Sequence, residues 1–325
     1  MSGIDKNFVL GASFSPEYCE RIGGKPLELL RIVSTELGIN DIRLGLRWNV
    51  IDSKEKLSLE YYDRYLQYLF KNRCNITLNI GPIKVFRWPE EHIPKSLHSL
   101  KINTVTSNCE LAKYSFEYLD RLLRLIKKEY GDRLNDIVFQ LDNEPFYRFG
   151  ELGITMSNGY ILETVRILNG YFPNNRILFS SAGRKNLRKI IKIFDLINEE
   201  KILKYESLIL GFNFYFNLPN RKKINPLKSF TPLYMNINRL KEIQKNRGFN
   251  LEISEGQFEP WGVANTPGNS YSDFLYLLDS CIEYFPKDYR YKLIRLWGVE
   301  ELALKMQRKE LTSQHIEIIK SIKYA

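Results

Sequence analysis

Residues 136–145 read DIVFQLDNEP, an apolar run from Ile137 to Leu141 that breaks off into Asp-Asn-Glu-Pro. A run of β-branched and aromatic residues bounded by turn formers marks a strand. One that is apolar almost throughout marks a strand buried on both faces, the habit of a parallel sheet. Seven other stretches share this form: FVLGASF from Phe8, DIRLGLRW from Asp41, NITLNIG from Asn75, RILFSS from Arg176, SLILGFNFY from Ser207, NLEISEG from Asn250 and YKLIRLWG from Tyr291.

Longer segments with helical period lie between these strands. They are KPLELLRIVSTELG, LSLEYYDRYLQYLFKNR, ELAKYSFEYLDRLLRLIKKEYG, NGYILETVRILNGYF, RKNLRKIIKIFDLI, NINRLKEIQKNRG and YSDFLYLLDSCIEYF. The first and third end in Gly, a common helix stop. A last amphipathic segment, TSQHIEIIKSIKY, is the expected eighth helix. Eight strand–helix units in 325 residues predict an α/β fold, a (β/α)₈ TIM barrel, as a single domain over residues 1–325. An open doubly wound sheet would carry a glycine-rich phosphate loop after its first strand, and GASFSPEY is not one.

The composition, 44% hydrophobic and 26% charged, is that of a globular domain with ample material for a core. No linker or low-complexity tract interrupts it, and the apolar stretches are strand-sized, so no membrane span is expected. The short apolar run after MSGIDK is needed for the first strand and is too brief for a signal core, so a cytoplasmic protein is expected; a secreted form without its leader reads the same. Cys19, Cys74, Cys109 and Cys281 are scattered and expected to be reduced. His92, His98 and His315 do not cluster either, so neither a metal nor another cofactor is expected. The net charge of +10 is spread along helices, as in KNLRKIIKIF, without any nucleic-acid motif. It reads as a solvated basic surface rather than a nucleic-acid site.

A barrel of this kind carries its chemistry where the C-terminal ends of the strands converge. Those positions hold Arg43 and Trp48 (second strand), Asn143 and Glu144 (fourth), Asn213 and Tyr215 (sixth), Glu255 (seventh) and Trp297 (eighth). Trp88 follows the third strand and Trp261 the seventh, so all four tryptophans fall at or beyond strand ends. Sugars present C–H faces that pack on aromatic rings, which makes a tryptophan-lined rim suitable for carbohydrate. Two carboxylates at strand ends, Glu144 and Glu255, are the equipment for breaking a glycosidic bond: one gives a proton to the leaving oxygen, the other attacks or activates water. Glu252 and Glu259 compete for the second role. Glu255 is preferred because Glu252 is mid-strand with opposite side-chain parity and Glu259 lies past the strand. Asp142 alternates away from Glu144 and reads as structural. Glu17, in FSPEYC, reads equally as a subsite residue and as part of a capped loop.

Asn143-Glu144-Pro145, the glutamate of the seventh strand, Arg43 with Trp48 in the R-x-x-x-x-W of the second, and Trp297 together resemble clan A of the glycoside hydrolases. These are retaining β-glycosidases on a (β/α)₈ barrel. The resemblance covers nearly the whole chain through motifs that are specific only jointly. It implies that Glu144 is the acid/base and Glu255 the nucleophile. It further implies that Asn143 meets the sugar 2-hydroxyl, Arg43 holds Glu255 ionised, Tyr215 orients Glu255 and Trp297 floors the sugar being cleaved. The chain departs from the cellulase-like families in lacking histidines on the third and sixth strands. The expected partner is a carbohydrate substrate, and a catalytically silent carbohydrate-binding barrel is the alternative.

The segment from Gly81 to Thr106 is long for a βα loop. It is expected to wall the groove, with Lys84 and Arg87 as candidates for a sugar hydroxyl or acidic substituent and His92 as a packing residue.

Overall fold

A computed structural model describes residues 8–52, 56–181, 184–215, 242–257 and 292–310. Eight strands form a closed barrel: β1 (Phe8–Phe14), β2 (Asp41–Gly45), β3 (Asn75–Gly81), β4 (Val138–Leu141), β5 (Arg176–Ser181), β6 (Leu208–Tyr215), β7 (Asn250–Gln257) and β8 (Lys292–Leu296). Their order around the barrel is β1-β8-β7-β6-β5-β4-β3-β2. The pairs β1–β8, β8–β7, β3–β4 and β4–β5 are parallel. The expected TIM barrel is therefore the fold.

The chain divides into two compact units, one of residues 1–43, 212–246 and 251–325, the other of residues 44–211 and 247–250. The divisions fall within β2, β6 and β7.

In the second unit, Val138, Leu178 and Ile209 cluster as core. The helix Glu110–Tyr130 buries Tyr118, Leu119, Leu122, Leu123 and Ile126, a stripe at helical spacing, and leaves Glu117, Arg121 and Lys128 in solvent. It packs on the helix Asn158–Tyr171, where Phe116 stacks on Tyr160 at 5.3 Å. A short parallel pair, Thr104–Val105 with Thr155–Met156, joins the loop after β3 to the loop after β4.

The first unit is held by buried charge. Arg295 of β8 donates to Asp41 of β2 at 3.0 Å and to Glu252 of β7, all three nearly inaccessible to water. The aliphatic stem of Arg295 passes Gly11 of β1, where an added Cβ would lie 2.9 Å from Arg295 Cγ and 3.1 Å from the Asp41 carbonyl. Burial pushes the Glu252 carboxyl above the ordinary carboxylate range, and Arg295 opposes that shift.

Two helices differ from the sequence expectation. After β1 the chain forms a helix, Pro16–Arg21, whose N-cap Ser15 accepts from the Tyr18 N–H; Glu17 lies in its first turn and accepts from Ser15 Oγ. After β8 comes a helix, Val299–Gln307, that the sequence pattern did not mark; the expected TSQHIEIIKSIKY lies outside the described residues. Its first turn is acidic, Glu300 and Glu301, which hides the helix from a reading that seeks an apolar stripe. Both acids are buried in use: Glu300 accepts from the Ser15 N–H at 2.8 Å and Glu301 from the Tyr18 hydroxyl. The segment YSDFLYLLDSCIEYF also lies outside the described residues.

Replacing Arg295 by Met strands two buried carboxylates without that cation. Denaturant unfolding is expected to show a loss of about 3–5 kcal/mol, the usual cost of breaking a buried ion pair from one side.

Candidate active site

Glu255 lies in the C-terminal half of β7 with 1% of its surface exposed. Its Oε1 accepts from Arg43 Nη1 at 2.6 Å, and the Arg43 side chain is fully buried. The same nitrogen donates to Ser13 Oγ at 3.2 Å. A carboxylate this deep in protein needs a counter-charge, and β2 supplies it. The pairing of β7 with β8 shifts between Ile253 and Gly256, so β7 carries an extra residue there. Simple alternation does not hold across such a bulge, which corrects the expected opposite parity of Glu252 and Glu255. Both make buried ion pairs, Glu252 with Arg295 and Glu255 with Arg43. Ser254 donates to Asn213 Oδ1 at 2.6 Å and ties β7 to β6.

Asn143 and Glu144 follow β4, each 1% exposed. Glu144 has a φ of 44°, a left-handed conformation that few side chains adopt. Side chains of β4, β5 and the loop after β3 hold this turn. Ser180 of β5 donates to Asn143 Oδ1 at 2.7 Å and accepts from the Glu144 N–H at 3.3 Å and from Gln140 Nε2 at 2.9 Å. Gln140 also donates to Asn143 Oδ1 at 3.2 Å. From the other side Asn143 Nδ2 donates to Glu90 Oε2 at 3.0 Å, and its own N–H to the Lys84 carbonyl at 2.9 Å.

The loop after β3 is fastened to this turn. Asp142 Oδ1 accepts from the Ile83 and Lys84 N–H groups at 2.8 and 2.6 Å, the structural part expected of it. Lys84, read as a candidate sugar contact, is instead fully buried, its Nζ donating to the Tyr147 carbonyl at 2.9 Å. Arg87 is also buried, and its carbonyl lies 3.2 Å from His92 Nε2. Burial, helped by the charge of Arg47, holds the His92 imidazole well below its ordinary pKa, so it packs the loop as a neutral ring.

The other expected site residues divide. Trp48 opens the short helix Trp48–Ile51; it is 3% exposed, stacks on Tyr118 at 4.6 Å and donates from Nε1 to Asp52 at 3.1 Å, which gives it a packing place rather than an open ring face. Trp88 is 52% exposed. Trp297 directly follows β8, half-buried, with its N–H on the Gly256 carbonyl at 3.1 Å. The backbone of Tyr215 closes β6, but its side chain, like Trp261 and Glu259, lies outside the described residues. The structure thus joins Arg43 with Glu255, and Asn143 and Glu144 with three residues not singled out in the sequence: Glu90, Ser180 and Gln140. Ser180 could have been found as a polar strand end. Glu90 stands in a long loop at no diagnostic spacing.

Among the described residues no group of three or more His, Cys, Asp and Glu side chains is placed to hold a metal, and no described helix is long and apolar enough to cross a membrane.

No family model matches the chain, and no curated protein matches it in sequence. Solved structures do match in shape. A family 5 xyloglucanase from Paenibacillus pabuli, in complex with ligand, superposes with a TM-score of 0.61 at 13% identity over 98% of both chains. The intracellular xylanase of Thermoanaerobacterium saccharolyticum, in complex with xylotriose, gives 0.58 at 13% identity over 91% of this chain and 87% of its own. Cel5A of Thermotoga maritima, in complex with mannotriose substrate, gives 0.54 at 14% identity over 90% of both. At such identities the likeness is one of fold.

Burial raises the Asp142 carboxyl to about 6 from its ordinary 3.8, against the two N–H groups that it accepts. A carboxyl raised in the folded state holds its proton there while the unfolded chain has lost it. Its contribution is therefore fullest below about pH 4 and declines as pH rises to about 6. Asp142→Asn keeps an oxygen for both N–H groups and removes the titration. The stability of this variant relative to the natural chain is expected to improve by about 3 kcal/mol between pH 4 and pH 7, read by urea unfolding at each pH.

Proposed function

We propose that the chain is a retaining glycoside hydrolase that cleaves β-glycosidic bonds of an oligo- or polysaccharide by double displacement. The observation that carries the reading is the pair of buried glutamates of a TIM barrel, Glu255 on β7 paired with Arg43 and Glu144 in the turn after β4. The proteins of similar fold whose complexes hold xylotriose and mannotriose support an oligosaccharide as the substrate class.

In this reading Glu255 attacks the anomeric carbon while Glu144 gives its proton to the leaving oxygen, and the glycosidic bond is exchanged for a glycosyl ester on Glu255. Glu144, now a carboxylate, takes a proton from water as the water oxygen attacks the same carbon and frees Glu255. Asn143 meets the sugar 2-hydroxyl, held in orientation by Ser180, Gln140 and Glu90. Tyr215 orients Glu255, Trp297 floors the sugar, and Trp88 and Trp261 line the groove. The reaction calls for no cofactor. A silent carbohydrate-binding barrel would bind the same sugars without turnover.

A panel of aryl β-glycosides tests the reading. Turnover with product of the substrate's own anomeric form, followed by NMR, is the expected result. Glu255→Ala is expected to lose activity by a factor on the order of 10⁴ or more, since no other group forms the ester. Glu144→Ala is expected to spare activated aryl leaving groups in the first step and to regain turnover with azide in the second. Inverted product, or near-normal activity of Glu255→Ala, would refute the mechanism.

A further inference from the structure

Five large hydrophobic side chains are exposed among the described residues, and three of them touch one another: Trp88 at 52%, Tyr147 at 42% and Phe149 at 44%. The Trp88 and Phe149 rings stand 5.9 Å apart, edge to face, and Phe149 and Tyr147 lie 6.1 Å apart, tilted by 30°. Single exposed apolar residues are ordinary, but a joined patch of aromatic rings in water marks a place of interaction.

This patch is built to stay where it is. Trp88 belongs to the loop after β3, Tyr147 and Phe149 to the loop after β4, and the two loops are stitched together. Lys84 Nζ donates to the Tyr147 carbonyl at 2.9 Å, and the Glu151 N–H to the Pro89 carbonyl at 3.1 Å. The buried Glu91 carboxylate accepts from the Leu152 and Ile154 N–H groups at 3.3 and 3.0 Å. It occupies the space that a side chain at Gly150 would fill, where the backbone has a φ of 116°. Rigid rings lose little entropy on meeting a ligand, which suits them to binding.

The patch is also tied to the candidate proton donor. The Tyr147 N–H donates to the Glu144 carbonyl at 2.9 Å, and the Phe149 N–H to the Tyr147 carbonyl at 3.0 Å. A proton donor stands beside the leaving oxygen, so rings carried on its own loop flank the departing part of the substrate. We propose that Trp88, Tyr147 and Phe149 form a stacking platform for a pyranose unit of the leaving group, so that the enzyme cuts within a β-linked chain and binds sugar on both sides of the bond. The proposal rests on the glycosidase reading above. The aromatic faces match the C–H face of a sugar ring, and their continuity with the Glu144 loop favours sugar over a protein partner.

The test compares two substrates with the same glycone: an oligosaccharide of three to six units drawn from xylan, cellulose or mannan, and the corresponding β-glycosyl fluoride, whose leaving atom needs no platform. In Trp88→Ala, Tyr147→Ala and Phe149→Ala, the ratio of kcat/KM on the oligosaccharide to that on the fluoride is expected to fall about tenfold. Trp88→Phe is expected to recover most of the ratio, which a folding defect would not allow. A ratio within twofold of the natural enzyme in all three variants overturns the platform and leaves the glycosidase reading standing. Failure of the natural enzyme on every fluoride and oligosaccharide overturns both. A sedimentation mass that halves in Trp88→Ala assigns the patch to self-association and overturns the platform as well.

Discussion

A carboxylate can be held at the end of a barrel strand, out of water, only if a cation goes with it, and for Glu255 that cation is Arg43. Much of the first unit follows from this. Barrel interiors are ordinarily filled with branched aliphatic side chains. Here two buried clusters stand instead, Arg43 with Ser13 and Glu255, and Arg295 with Asp41 and Glu252. Each guanidinium needs room, and the room for Arg295 is made by leaving β1 without a side chain at Gly11. An apolar core of the same volume would be at least as stable.

The second unit solves a different problem. Glu144 is as buried as Glu255, and the side chains of Asn143, Gln140, Ser180 and Glu90 hold its turn. The loop after β3 then closes over the turn, pinned by Asp142 at its start and Glu91 further on. Because both pins are buried carboxylates accepting backbone N–H groups, the loop is held by geometry rather than by surface charge.

The eight strands were legible because each is a short apolar run between turn formers, and β1, β3 and β5 begin and end where the pattern says. The two acids were legible because they break that pattern at strand ends. Other features escaped. The helix Val299–Gln307 was hidden by an acidic first turn whose buried partners, Ser15 and Tyr18, stand at the far end of the sequence. The parity argument for Glu252 failed at a bulge, which depends on how β7 pairs with β8 and not on the residues of β7 alone.

The sequence by itself determined the fold class and the strand carrying each acid, because period and strand position are local properties of a chain; the pairing of Arg43 with Glu255 was implied only by the resemblance to clan A. Only the tertiary structure decided which polar groups meet. Glu90 reaches Asn143 across 53 residues, and Lys84 turns inward to Tyr147 across 63. It likewise separated Trp48, buried against Tyr118, from Trp88, which stands in water beside Phe149. A tryptophan past a strand end reads the same in either case. Its burial is set by the elements that pack over it, and no local pattern records them.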